Sequence, residues 1–215
     1  MSHVVVIGAH GKVALHLVPL LVGRGDRVSA VIRNPDHADE LRALGADPVV
    51  ADVEELDTAA LTELLGNHDA VVWSAGAGGG NPARTRAVDR DAAIRSMDAA
   101  AAAGVKRYVM VSYIGSRTDH GVAEDDPFFA YAEAKAAADE HLRSTDLDWT
   151  VLGPGPLTDD NPTGKVEVVD PGRGRVSRAD VAAVAAAALV EPATIGRTIA
   201  FGNGEVPIET ALRQS

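Results

Sequence analysis

Apolar, β-branched runs recur along this chain, and a longer stretch with helical spacing follows nearly every one. HVVVIG (3–8), RVSAVIR (27–33), DPVVAD (47–52), DAVVWSAG (69–76), VKRYVMVS (105–112), LDWTVLGPG (147–155) and GRTIAFGN (196–203) read as strands. VALHLVPLLVGRG (13–25), PDHADELRALG (35–45), LDTAALTELLG (56–66), TRAVDRDAAIRSMDAAAAAG (85–104), the run 128–143 and SRADVAAVAAAALV (177–190) read as helices. Several of them close on glycine, a common helix stop. A strand that is apolar throughout, and not only at alternate positions, must be covered on both faces. Strand–helix–strand units provide that cover through parallel pairing and right-handed crossovers. The expected fold class is α/β, a doubly wound, mostly parallel sheet with helices on both faces.

The 215 residues are enough for one large domain over 1–215 and too few for two of ordinary size. Hydrophobic residues at 46% and charged residues at 24% are ordinary for a water-soluble domain. The net charge of −11 argues against a nucleic-acid partner, which needs clustered Lys and Arg. A small anion can still be bound locally by backbone amides at a helix N-terminus. Cysteine is absent, which excludes a disulfide framework, a thiolate nucleophile and a cysteine metal site. The first strand starts so near the N-terminus that no signal segment is expected. No apolar run approaches the roughly 18 residues of a membrane span. The expected setting is cytoplasmic, with no membrane partner. The histidines lack metal-ligand spacing, so no metal is expected.

The turn after the first strand narrows the function. VVVIGAHGKVA carries Gly8, Gly11 and Ala14 as G-x-x-G-x-x-A between a strand and a helix. Gly8 permits the tight turn. Gly11, without a Cβ, lets a diphosphate approach the backbone. The free N–H groups of Lys12, Val13 and their neighbours favour negative charge there. Ala14 lets the helix pack close to the sheet. His10 lies in the same turn, within reach of a phosphate. The expected ligand is a dinucleotide. An NAD-preferring site usually carries an acid near the end of the second strand, and here AVIRNP places Arg33 and Asn34 there instead. A guanidinium pairs with a 2′-phosphate where a carboxylate would repel it. Lys12 adds positive charge, so NADP(H) is favoured over NAD(H). Asp52 and Val53 after the third strand are placed to meet the adenine. Ser74, Ala75 and Gly76 after the fourth are placed along the middle of the cofactor. Two loops, 75–84 and 116–127, follow strand C-termini, where open α/β sheets bind ligands.

The run FFAYAEAKAAADEHL (128–142) sets Tyr131 and Lys135 one helical turn apart on one face. Strand five ends in Ser112. In a parallel sheet the C-terminal ends of strands one, four and five lie together, so Ser112, Tyr131 and Lys135 can converge.

The segments VVVIGAHGKVA, VIRN, ADV, VDRDAAIRSMDAAAAAGVKRYVMVS, YAEAK, LDWTVLGPGPL and VSRADVA span almost the whole chain. Together they resemble the atypical short-chain dehydrogenase/reductases, in the small NAD(P)H-binding branch of NmrA-like and biliverdin-reductase-B-like proteins. The resemblance implies a Rossmann-type domain and a catalytic set falling on Ser112, Tyr131 and Lys135. It implies that Lys135, with the oxidised nicotinamide, lowers the Tyr131 phenol from its ordinary value near 10. Tyr131 would then exchange a proton with the substrate oxygen as hydride moves at the nicotinamide. Lys135 would also bond the nicotinamide ribose, and Ser112 would orient the substrate oxygen. Pro154 and Gly155 would border the nicotinamide, although Gly153 stands where an arginine is usual. About 60 residues follow strand six, too few for the large substrate domain of nucleotide-sugar epimerases. A small substrate-side region is expected from about 153–176 and 196–215.

The expected activity is an NADP(H)-dependent oxidoreductase acting on a small carbonyl, quinone or flavin-like molecule. The alternatives are a non-catalytic NADP(H)-binding redox sensor of the NmrA-like kind and, third, a sugar-nucleotide epimerase. Tyr113 faces either the substrate pocket or the packing. Trp73 and Trp149 are expected in the core. The Ala-rich helices 85–104 and 128–143 either cover the sheet or pair across a dimer, so the chain is expected to be a monomer or a homodimer.

Overall fold

In the computed structural model, which describes residues 1–78, 81–169 and 174–214, a nine-stranded sheet runs through the molecule. Its strands are β1 His3–Ile7, β2 Arg27–Ile32, β3 Asp47–Val50, β4 Ala70–Trp73, β5 Arg107–Val111, β6 Asp148–Pro154, β8 Lys165–Val168, β10 Arg197–Asn203 and β11 Val206–Pro207. A separate parallel pair joins β7 Leu157–Thr158 to β9 Val176–Ser177. The order across the large sheet is β11-β8-β10-β6-β5-β4-β1-β2-β3. From β10 to β3 every pairing is parallel; β8 and β11 add antiparallel at one edge. This is the doubly wound Rossmann arrangement. The order reverses between β1 and β4, and the ligand crevice of such a sheet opens there.

The alternation of side chains along β1 divides the core. Val4 and Val6 enter the cluster on one face, with Leu17 and Leu21 of α1 (Ala14–Gly23), Leu41 of α2 (Ala38–Ala43), Val181 and Val184 of α7 (Arg178–Val190) and Leu212 of α8 (Ile208–Gln214). Val5 and Ile7 enter the cluster on the other face, with Leu61 and Leu65 of α3 (Thr58–Leu65), Met97 of α5 (Ala93–Ala103) and Leu142 of α6 (Phe129–Arg143). The all-apolar strand pattern has this cause: each strand feeds two cores. Trp73 is fully buried, and Trp149 packs partly buried against the second cluster. Of the Ala-rich helices, Ala99 and Ala100 of α5 and Ala132, Ala134, Ala136 and Ala138 of α6 are buried within the protomer.

The helix expected over 85–104 is three pieces. Asn81 caps the short α4 (Pro82–Thr85), accepting from the Ala83 and Arg84 N–H groups, with Pro82 at its first position. A π-helical segment, Arg86–Ala92, follows, then α5. The wider π turn lets the Asp89 carboxylate accept the Ala77 N–H (3.1 Å), a bond that ties it to the loop after β4. Composition gives no sign of this, because the π turn answers to a tertiary partner. β8, β11 and α8 also lie outside the expected elements. They are short edge pieces, and β8 buries only one residue fully, Val166, so its pattern is weak.

Candidate active site

The turn after β1 is shaped by contact with the β4 end. Gly8 has φ +80°, and a Cβ there would lie 2.5 Å from the Ala75 Cα. A side chain is excluded on both counts. Gly8 and Ala9 donate to the Val31 carbonyl at 3.1 and 3.0 Å, binding the turn to β2. The N–H groups of His10, Lys12 and Val13 have no protein acceptor among the described residues. Among the described residues no side chain caps α1, whose N-cap is Val13. Free amides at an uncapped N-terminus form an anion cradle. Ala14, fully buried, seats α1 on the sheet.

From this cradle a cleft runs both ways. Toward β2 and β3 a pocket of about 220 Å³ is lined by His10, Arg33, Asn34, Asp52, Val53 and Glu54, among others. Toward β5 a cavity of about 640 Å³ is lined by Lys12, Val13, Asp89, Ser112, Tyr131 and Lys135, among others. Gly11, Ser74, Ala75 and Gly76 line both. An elongated cleft with a diphosphate cradle at its middle fits a dinucleotide. Of the residues expected to contact it, Pro154 and Gly155 are placed differently. They line a third cavity of about 540 Å³ with Ser112, Tyr113, Phe128 and Tyr131, not the cleft itself. β6 carries them past the cleft toward β10, where Gly155 donates to the Phe201 carbonyl (2.9 Å).

The pocket near β2 and β3 has structure that the motifs did not announce. Arg33 is half exposed and lies 3.5 Å from the Glu54 carboxylate. Glu54 also accepts Arg84 Nε at 2.8 Å, while Arg84 donates to the Ala77 carbonyl at 2.7 Å. No acid ends β2, yet an acid from the loop after β3 faces Arg33. The signal was the acidic pair after ADV, which only the fold brings to the groove. Asp52 accepts the Glu54 N–H (3.0 Å), a turn within that loop, and Arg95 of α5 donates to the Val53, Glu54 and Leu56 carbonyls. Asn34 uses its amide oxygen to accept the Asp36 N–H (3.1 Å). His10 lines the pocket but is held by Glu40 (2.8 Å) and stacked on His37 at 3.5 Å between ring centroids. That arrangement turns its Nε2 to α2 and away from a phosphate role. Lys12 is exposed, 3.6 Å from Asp159.

At the other end Ser112, Tyr131 and Lys135 all line the larger cavity. Tyr131 is half-buried, its ring against Tyr113 (5.4 Å) and Phe128 (5.2 Å), and it is the buried Tyr113 Oη that has no partner among the described residues. Lys135 is 1% exposed and donates to the Val111 carbonyl (3.1 Å) and Met110 Sδ (3.2 Å). Ser112 Oγ donates to Asp139 Oδ2 (2.5 Å), as does Ser116 Oγ from the loop 116–127. His120 of that loop pairs with Glu133 of α6 (2.8 Å). Of the glycine-rich loop, Gly76, Gly78 and Asn81 line the cavity, and residues 79–80 lie outside the described residues.

Without a cofactor, the Tyr131 phenol is pushed above its ordinary value, first by burial and then by the Asp89 and Asp139 carboxylates and Tyr113. Asp89 and Asp139 are themselves pushed up by burial, against Lys135, which favours both as anions. Asp139 was inside the quoted run, four residues past Lys135. Its role becomes visible only once Ser112 arrives beside it.

The fold and the cleft together define a nicotinamide-dinucleotide-binding protein of the short-chain dehydrogenase/reductase type. The chain belongs to the NAD(P)H-binding family, whose model matches residues 8–192. It is similar to YhfK of Bacillus subtilis, described as an uncharacterized sugar epimerase, at 34% identity over 98% of this chain and 99% of that protein. Its fold matches a solved putative NAD-dependent epimerase/dehydratase from Bacillus halodurans at a TM-score of 0.91, with 35% identity and 100% of both chains covered. It also matches the oxidoreductase ylbE of Lactococcus lactis at a TM-score of 0.89, with 27% identity over 99% of this chain and 95% of that one.

Proposed function

We propose that this protein is an NADP(H)-dependent oxidoreductase acting on a small, largely apolar carbonyl, quinone or flavin-like molecule. The observation that carries the reading is the shared wall: Ser112 and Tyr131 line both the cofactor cleft and the third cavity. A molecule in that cavity meets Tyr131 beside the cofactor. Gly8, Gly11, Lys12 and Val13 would hold the diphosphate, Asp52 and Val53 the adenine, Ser74 to Gly76 the middle, and Lys135 the nicotinamide ribose. When bound, the cofactor supplies or accepts hydride. Tyr131 moves the proton at the substrate oxygen, and Ser112 positions that oxygen. Pro154 and Gly155 shape the substrate cavity, on the side assigned to about 153–176 and 196–215, of which 170–173 lie outside the described residues.

Arg33 supports the preference for a 2′-phosphate, because it is half exposed at the groove and needs only to exchange Glu54 for the phosphate. The third cavity supports a reductase over an epimerase. Among the described residues its lining includes no charged side chain, whereas a sugar diphosphate needs cations. The similarity to the Lactococcus oxidoreductase points the same way.

Calorimetric titration with NADP⁺, NADPH, NAD⁺ and NADH tests the cofactor. Tight binding confined to the phosphorylated pair supports Arg33; equal affinity for both pairs removes that preference, and no binding removes the whole reading. A quinone and flavin screen with NADPH then tests turnover. Tyr131→Phe should abolish it while leaving NADPH affinity unchanged. Tight binding without turnover of any acceptor would favour the sensor.

A further inference from the structure

The segment RVSR leading into α7 has no part in the site described so far. Its strand β9 buries both of its residues, Val176 and Ser177, and an arginine flanks it on each side. Local structure accounts for neither arginine. Arg178 opens α7, where a cation opposes the helix dipole. Arg175 is exposed, and its side chain has no hydrogen bond or ion pair among the described residues.

β9 lies parallel to β7, with Leu157 beside Val176 and Thr158 beside Ser177. A polar cavity of about 550 Å³ opens at this pair. Among the described residues it is lined by Thr158, Asp159, Asp160, Arg175, Arg178 and Asn203, with Leu157 as its apolar wall. Leu157 also lines the cofactor cleft and the apolar cavity beside Tyr131, and Arg178 lines the cofactor cleft. Three cavities thus meet at one leucine.

We propose that the polar cavity holds an anionic arm of the hydride acceptor, a carboxylate or a phosphate monoester, with Arg175 and Arg178 as its ligands. Resting on the oxidoreductase reading above, this narrows the acceptor to an apolar ring system that carries one anionic group. A molecule whose reacting part lies beside Tyr131 reaches the arginines by passing Leu157. The charges support an anion there. Asp159 accepts Arg178 Nη1 at 2.6 Å and lies 3.6 Å from Lys12 Nζ. Its side chain is 69% exposed against 21% for Arg178, so the guanidinium is the deeper member of the pair. Lys12, Arg175 and Arg178 stand against Asp159 and Asp160, an excess of one cation, and the α7 N-terminus adds a partial positive charge. Such a field suits one anionic group and not the several charges of a sugar diphosphate. A guanidinium takes a carboxylate or a phosphate through paired N–H donors. The Arg178–Asp159 pair is open to water and worth little, so the arm can replace Asp159 at small cost. Thr158 and Asn203 offer neutral hydrogen bonds beside it.

Two probe pairs differ only in the anion. Flavin mononucleotide and riboflavin differ by a phosphate, and anthraquinone-2-carboxylate and its carboxamide by a carboxylate. Binding to the cofactor-free protein is read by flavin fluorescence quenching and by calorimetry. In at least one pair the anionic member should bind about tenfold or more tighter, and the pair that responds tells phosphate from carboxylate. Arg175→Gln, an exposed change that leaves the packing alone, should bring that ratio near one, and Arg178→Gln should lower it too. The proposal is overturned if both pairs show equal binding or none in the wild type, or if the ratio survives in Arg175→Gln. UDP-glucose binding that Arg175→Gln abolishes would assign the cavity to a nucleotide diphosphate and overturn it as well. Turnover is a separate reading. Charge-selective binding without NADPH oxidation would remove the oxidoreductase reading and leave the anion subsite standing. NADPH oxidation with equal use of both members of each pair would remove the subsite and keep the oxidoreductase.

Discussion

Replacing Gly8 and Gly11 separately by alanine separates folding from cofactor binding at one turn. At Gly8 the new Cβ would meet the Ala75 Cα, N and Cβ at 2.5, 2.6 and 2.9 Å, on a backbone with φ +80°. Two of these contacts are with backbone, which cannot rotate away, so the β4 end must move by about 1 Å to restore van der Waals distance. Left-handed backbone strain costs about 1–2 kcal/mol, and forced overpacking about 1–3 kcal/mol more. The expected loss for Gly8→Ala is thus about 2–5 kcal/mol, or about 1–2 M in urea midpoint at a slope of about 2–3 kcal/mol/M. At Gly11 the added methyl meets only the Gly8 and Ser74 carbonyl oxygens, at 3.2 and 3.6 Å, and no left-handed backbone is involved. Gly11→Ala should keep the wild-type midpoint within about 1 kcal/mol. Its methyl instead occupies the approach to the cradle, and NADPH affinity should fall by about tenfold or more. Urea unfolding followed by circular dichroism, together with calorimetric titration of NADPH, measures both quantities. A Gly8→Ala protein with the wild-type midpoint would refute the close-approach argument. A Gly11→Ala protein with full affinity would refute the cradle.

Arg33→Ala should weaken NADPH binding by about tenfold or more, the value of a charged hydrogen bond of about 1.5–3 kcal/mol, and leave NADH unchanged; parallel calorimetry with both cofactors checks this. Arg107, on β5 away from the cleft, donates to the Asp148 and Ala188 carbonyls (2.5 and 2.6 Å) and to the Thr150 and Thr194 hydroxyls. Arg107→Met should strip those partners at a cost of about 3 kcal/mol or more, lowering Tm by about 6–12 °C in a scanning calorimeter with NADPH affinity unaltered. Asp89 is pushed above the ordinary aspartate value by burial, so the folded protein holds its proton more readily than the unfolded chain does. That contribution to stability is fully present below about pH 4 and is lost as pH rises through the raised native value. The urea midpoint of Asp89→Asn, measured relative to wild type, should therefore move in the variant's favour as pH rises; a trend in the opposite direction would contradict the assignment.

Much of the fold was legible from local pattern. The Val and Ile runs that became β1, β2, β4, β5 and β6 are apolar at most positions because each strand feeds both cores, and this demand is written along the chain. Gly8, Gly11 and Ala14 were legible for a related reason: a turn, a close approach and a tight helix seat each require a missing side chain at a stated position. Tyr131 and Lys135 were legible as a pair because helical spacing alone puts them on one face. Other features depend on partners distant in the chain. Asp89 lies in a π-helical segment that bonds the loop after β4. Glu54 meets Arg33 from the loop after β2 and Arg84 from α4, and Asp139 takes hydroxyls from Ser112 and Ser116. Pro154 and Gly155 belong to a neighbouring cavity because β6 runs past the cleft. Strand and helix periods record which face of an element is buried. The charge balance around a phenol is a sum over groups from several elements, and it takes its sign only when the fold has set their distances.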